Sequence, residues 1–162
     1  DFHIYQGDAE VHVGFVHRGD TIPLASAGPE FHVLHASGAA YFSLPFPDTD
    51  RPYERRLAER GLVELTSEAG YFWMHAYLFV DDHPYYARTD ARGRFELPRV
   101  PPGSYQIVCW LPSWREAGHD RDPETSGIIR VRFRPSVERT QAVSVGRGET
   151  RDVSFAVSAD DF

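Results

Sequence analysis

The feature that most constrains this chain is the shortness of its β-prone runs. Stretches of about four to eight residues rich in Val, Phe, Tyr and Thr are cut repeatedly by glycine and proline turns, and little 3.6-residue periodicity is sustained. An all-β fold follows. Glu10 to Val16 and Thr21 to Ala25 read as strands joined at Arg18-Gly19-Asp20, where glycine supplies the positive φ of a tight turn. Phe31 to His35, Ala40 to Leu44, Leu62 to Thr66 and Trp73 to Val80 continue the series, the last two facing each other across Ser67-Glu68-Ala69-Gly70. Tyr53 to Arg60 reads as a short helix stopped by Gly61.

Turn chemistry is denser in the second half. Tyr85 to Thr89 and Arg94 to Leu97 read as a hairpin around Asp90-Ala91-Arg92-Gly93, with Asp90 bonding turn amides and Gly93 in the left-handed position. Pro101-Pro102-Gly103 launches a strand from Tyr105 to Leu111, in which alternation sets Tyr105, Ile107 and Cys109 against Val108 and Trp110. A polar loop from Ser113 to Gly127 follows, then strands at Ile128 to Phe133, Thr140 to Val145 and Thr150 to Val157.

Composition narrows the function. The chain of 162 residues is 41% hydrophobic and carries 17 basic against 24 acidic residues, a net charge of −7. Every basic residue is arginine, and these are scattered, with no stripe to track a phosphate backbone, so nucleic acid is not an expected partner. Arginine favours planar carboxylate pairing and stacking on rings, which suits protein contacts. The apolar run Ala76 to Val80, which no other run exceeds in length, falls far short of the roughly 20 residues of a membrane-spanning helix. Asp1 is neither Met nor part of an apolar leader, which leaves room for a processed signal or an anchor upstream of residue 1. Cys109 stands alone and forms no internal disulfide.

Two stretches resemble known modules. Arg18-Gly19-Asp20-Thr21, Phe31-His32-Val33-Leu34-His35, Gly61 to Thr66 and Trp73-Met74-His75-Ala76-Tyr77 are similar to the glycine turn, first-histidine segment and metal-loop flanks of bacterial exported cupredoxin-like domains, of the plastocyanin or methylamine-utilisation kind. His83 to Phe95 and Val100-Pro101-Pro102-Gly103-Ser104-Tyr105 resemble a carboxypeptidase regulatory-like domain, a transthyretin-like sandwich. The resemblance implies two fused antiparallel β-sandwich modules, residues 1–80 and 81–162. It also implies a type-1 copper loop whose ligands are incomplete: Ser67 and Tyr71 stand where the cysteine and second histidine belong, leaving His32 and Met74. A blue-copper centre needs a thiolate and two imidazoles, with methionine only a weak axial ligand.

The expectation is therefore a non-catalytic periplasmic or extracellular protein with no cofactor, an accessory subunit docking on a membrane-associated electron-transfer complex. Trp114, Arg115, Tyr71 and Phe72 are its candidate partner-binding residues, because a loop Trp beside an Arg is a frequent interface anchor. The alternative is a periplasmic copper-binding protein whose site is rebuilt from His12, His32, His75 and Met74. His32 and His35, three apart on one strand, should point to opposite faces. No Gly-x-Ser-x-Gly elbow, phosphate loop or His-Glu-x-x-His helix is present to carry hydrolase chemistry.

Overall fold

A computed structural model describes residues 2–6, 9–67, 71 and 73–162. Among them the chain is all-β, built of several small sheets, most of them antiparallel, with no α-helix. Two compact units can be separated: Asp1–Pro84 with Asp120–Val131, and Tyr85–His119 with Arg132–Phe162.

The first unit is organised by a five-stranded sheet of order β3-β9-β8-β5-β6. Its members are β3 (Val13–His17), β5 (His32–Gly38), β6 (Phe42–Phe46), β8 (Gly61–Ser67) and β9 (His75–Asp81). All its neighbours are antiparallel except β3 and β9, which run parallel with Val13 opposite Tyr77. Alternation along these strands sends Leu34, Ala36, Leu44, Phe46, Val63, Leu65, Ala76, Leu78 and Val80 into one core. Leu57 joins them, and Ile4, Ile22, Leu24 and Tyr53 pack against the same cluster from β1 (Ile4–Gln6), β4 (Thr21–Leu24) and β7 (Tyr53–Arg56). Burying each leucine-sized side chain contributes on the order of 1.5 to 3 kcal/mol.

Several sequence expectations change here. Tyr53 to Arg60 is not a helix. Its first four residues are β7, paired antiparallel with β4 so that Leu24 faces Tyr53 and Thr21 faces Arg56. Period two wins because Tyr53 packs edge-on against Phe46, at 5.8 Å between ring centres, while Leu57 plugs the core. The backbone around Leu57 is tied to the glycine turn, donating to the Asp20 carbonyl and accepting from Gly19, whose φ is 94°. The strand read over Glu10 to Val16 breaks at His12, with β2 (Ala9–Val11) pairing β1 and β3 pairing β9.

In the second unit β10 (Gly103–Leu111) pairs along its whole length with β13 (Val137–Val145). Tyr105, Ile107 and Cys109 are half-buried along β10 while Gln106 and Val108 are exposed, as alternation requires. The loop read over Ser113 to Gly127 instead holds β11 (Glu116–Arg121), which forms a hairpin with β12 (Ile128–Phe133), and the tip of that hairpin, Asp120–Val131, belongs to the first unit. Asp122 closes that hairpin, its carboxylate accepting from the amides of Glu124 and Thr125. The Asp90 to Gly93 turn forms as anticipated, with Asp90 accepting from the amides of Arg92 and Arg94 and Gly93 at φ 75°. The segments 85–89 and 94–97 beside it, and 150–157, lie outside the strands. Phe95, Leu97, Val153, Phe155 and Val157 keep the half-buried alternation of strands, so side-chain burial satisfies the pattern that had suggested a ladder.

Replacing Leu57 by Ala should cost about 2 to 5 kcal/mol in chemical denaturation, whereas Val108→Ala, at an exposed position, should stay within about 0.5 kcal/mol. Equal effects would contradict a core centred on the five-stranded sheet.

Candidate functional site

Three neighbouring strands bring the resemblance-derived residues to one end of the first unit. β5 begins at His32, β8 ends at Ser67, and Met74 immediately precedes β9. The register sets Leu34 opposite Ser67 and Thr66 opposite His75. Since successive side chains alternate, His32, Ser67 and Met74 share the side of the sheet occupied by Leu34, Leu65 and Ala76. Ser67 and Met74 are buried, and the Met74 amide donates to the Tyr71 carbonyl at 2.9 Å. The Tyr71 ring lies 4.8 Å from that of His32 and meets Trp73 edge-on at 5.5 Å. Trp73 is 58% exposed, as is Phe31. Phe72, one of the candidate partner-binding residues, lies outside the described residues.

The chemistry of this end does not fit a blue-copper ion. Its donors are an imidazole, a thioether, an alcohol and a phenol, where that ion takes a thiolate and two imidazoles. The pleat also divides the alternative ligand set. His75 faces the side opposite His32, and His12 is exposed in the break between β2 and β3, where its carbonyl accepts from the Tyr77 amide. Among the described residues, no group of three or more His, Cys, Asp or Glu is placed to hold a metal ion.

The opposite face carries a polar row that sequence reasoning did not assemble. Thr66 on the central strand is flanked in register by His35 and His75, and Glu64 by Ser37 and Tyr77. His35 meets Tyr41 edge-on at 5.4 Å, on the face opposite His32 as the spacing required. His75 Nδ1 lies 3.4 Å from Glu64 Oε1. That imidazole holds the Glu64 carboxyl below the ordinary carboxylate range against the opposing effect of burial, with Arg130 and His35 adding to the attraction. Burial and then the Glu64 charge push the Tyr77 phenol up. The signal in the sequence was the period-two spacing of Glu64 with Thr66 and of His75 with Tyr77, legible only once the register is known.

Trp114 and Arg115 belong to the second unit. Trp114 is 62% exposed, yet one side of its ring meets Phe162 at 4.1 Å between centres. Arg115 is exposed, and its guanidinium donates to the Ala159 carbonyl at 2.6 Å. Cys109 sits half-buried on β10, and burial pushes its thiol up despite the opposing charge of Arg139.

The class defined by these observations is an all-β protein whose first unit ends in an aromatic cluster beside a half-buried histidine and a buried serine and methionine. Comparison with protein-family models, curated proteins and solved structures finds no match to this chain.

The Glu64 carboxyl should titrate in NMR below its ordinary value near 4.5, and His75→Gln should raise that midpoint. Because the folded value is the lower one, the pair's stabilising contribution is present above about pH 4.5 and is lost as pH falls through the folded midpoint. An unchanged midpoint in His75→Gln would contradict the assigned cause.

Proposed function

We propose that the protein is a non-catalytic binding protein, a periplasmic or extracellular accessory subunit that docks on a membrane-associated electron-transfer complex through the aromatic end of its first unit. The observation that carries this reading is Trp73, 58% exposed and braced edge-on by Tyr71, whose ring rests on His32. A large ring held in place and left in water is the kind of residue that becomes an interface anchor, because little side-chain entropy remains to be lost on binding. Phe31, immediately before β5, is equally exposed. The class of partner comes from the cupredoxin resemblance, since such domains work beside cytochromes and membrane redox complexes, and its warrant is analogy of fold.

The alternative, a copper-binding protein, draws on one observation: the buried Nδ1 of His32 has no hydrogen-bond partner among the described residues. The remaining ligands this reading requires are split between two faces and an exposed break, so docking is the better-supported function.

Trp73→Ala should reduce capture of electron-transfer polypeptides from native membranes by tenfold or more, as the loss of an anchor worth about 2 kcal/mol implies, while the Tm moves by only a few degrees. Equal capture by the wild type and the variant would remove Trp73 from the interface, and capture of no such polypeptide by either would overturn the docking reading.

A further inference from the structure

The aromatic end of the first unit is also its carboxylate-rich end. β5 begins at His32 opposite Phe46, the last residue of β6, so the segments before β5 and after β6 leave the sheet on the same side. They are tied together there: the Asp50 amide donates to the Ser26 carbonyl, and the Thr49 hydroxyl donates to the Gly28 carbonyl. Residues 26–31 and 47–51 carry Glu30, Asp48 and Asp50 against Arg51, whose guanidinium pairs with Asp48 at 3.1 Å. The imbalance extends through the unit. Carboxylates outnumber arginines more than twofold over residues 1–84 and 120–131, whereas arginines outnumber carboxylates in the second unit.

The rings at this end form two walls of a corner. Tyr71 and Trp73 stand at 90° to one another with centres 5.5 Å apart, and Trp73 is more than half exposed. Tyr71 also contacts His32, which follows the exposed residues Glu30 and Phe31 in the chain, so the corner lies beside them. The face of an aromatic ring is the negative part of its quadrupole, and two faces at a right angle direct that potential at a group seated between them. A neutral apolar group gains only its buried area there, while a cation is attracted by both rings and by the neighbouring carboxylate. Guanidinium suits this setting best among side-chain cations, because its plane stacks on one ring while its edge donates to a carboxylate. The unit already seats its own guanidinium groups on rings, Arg51 over Tyr53 at 5.5 Å and Arg55 over Phe42 at 5.6 Å.

We propose that the corner of Tyr71 and Trp73, with Glu30 beside it, is a cation site that takes an arginine side chain of the docking partner. The proposal rests on the docking reading of this end and adds the chemistry that the partner presents: a guanidinium within a basic contact surface. The excess of carboxylates in the unit steers such a surface toward the corner, an attraction that salt screens.

A titration with small probes tests the site without the partner. The full chain is titrated with the blocked tripeptide Gly-Arg-Gly and with Gly-citrulline-Gly, its uncharged isostere, and the indole N–H signals are followed by NMR, that of Trp73 assigned as the signal lost in Trp73→Phe. The arginine peptide should shift the Trp73 signal saturably and bind about threefold or more tightly than the citrulline peptide, while Trp114, exposed on the second unit, does not respond. Glu30→Gln, at an exposed position, should remove most of that preference and leave the citrulline peptide's affinity unchanged. Equal binding of the two peptides to the wild type, or an equal response at Trp114, overturns the proposal. That failure is distinct from failure of the docking reading: Trp73-dependent capture from native membranes would then rest on an apolar anchor, whereas an arginine preference retained without any capture would uphold the cation site and overturn the electron-transfer partner.

Discussion

Everything in the first unit depends on the pleat of one five-stranded sheet. Successive residues on a strand must face opposite ways, and the in-register ladders from β6 to β9 lock that alternation across four strands. One side becomes an unbroken apolar layer, from Leu44 through Ala36 and Val63 to Leu78. The other side carries the polar row of Glu64, Thr66, His35 and His75 beside Leu62 and the stacked pair of Phe15 and Phe79. A histidine's role is then fixed by its parity: His32 falls at the edge of the core, while His35 and His75 stand on the outer row flanking Thr66. No side-chain rearrangement moves a residue from one face to the other without slipping the register and exposing the core.

This partition governs the chemistry at the loop end. His32, Ser67 and Met74 converge because they share parity at the same end of neighbouring strands, and Tyr71 covers the histidine. Soft-metal chemistry of the type-1 kind would require a thiolate and a second imidazole there. What stands there instead is a hydroxyl and a phenol, with an exposed indole beyond them. The tilted contact of Tyr71 with His32 and the edge-on contact of Tyr71 with Trp73 leave the indole braced and exposed at this end, an arrangement suited to an interface anchor.

Much of the fold was legible because alternation and turn chemistry are local. The Asp90 and Gly93 turn, the Gly19 turn, the pairing of Leu62–Thr66 with the strand after Trp73, and the half-buried side of β10 follow from residue type and spacing. What was not legible depended on partners distant in sequence. Tyr53 to Arg56 has the composition of a helix and becomes a strand because β4 offers an edge and Phe46 a ring to pack on. The polar loop after Ser113 holds a strand because Asp122 closes a hairpin with β12. At the sites, the parity of His32 against His35 could be read from their spacing. The bond from Arg115 to the Ala159 carbonyl could not, since that acceptor lies 44 residues further on.

The central claim is that the loop end of the first unit is a docking surface and not a metal centre. Its most direct test is the copper content of the untagged protein, isolated from its native membranes without chelators and measured by mass spectrometry against protein concentration. The account predicts copper near background; one copper per chain, retained through gel filtration and lost in His32→Ala, would contradict it.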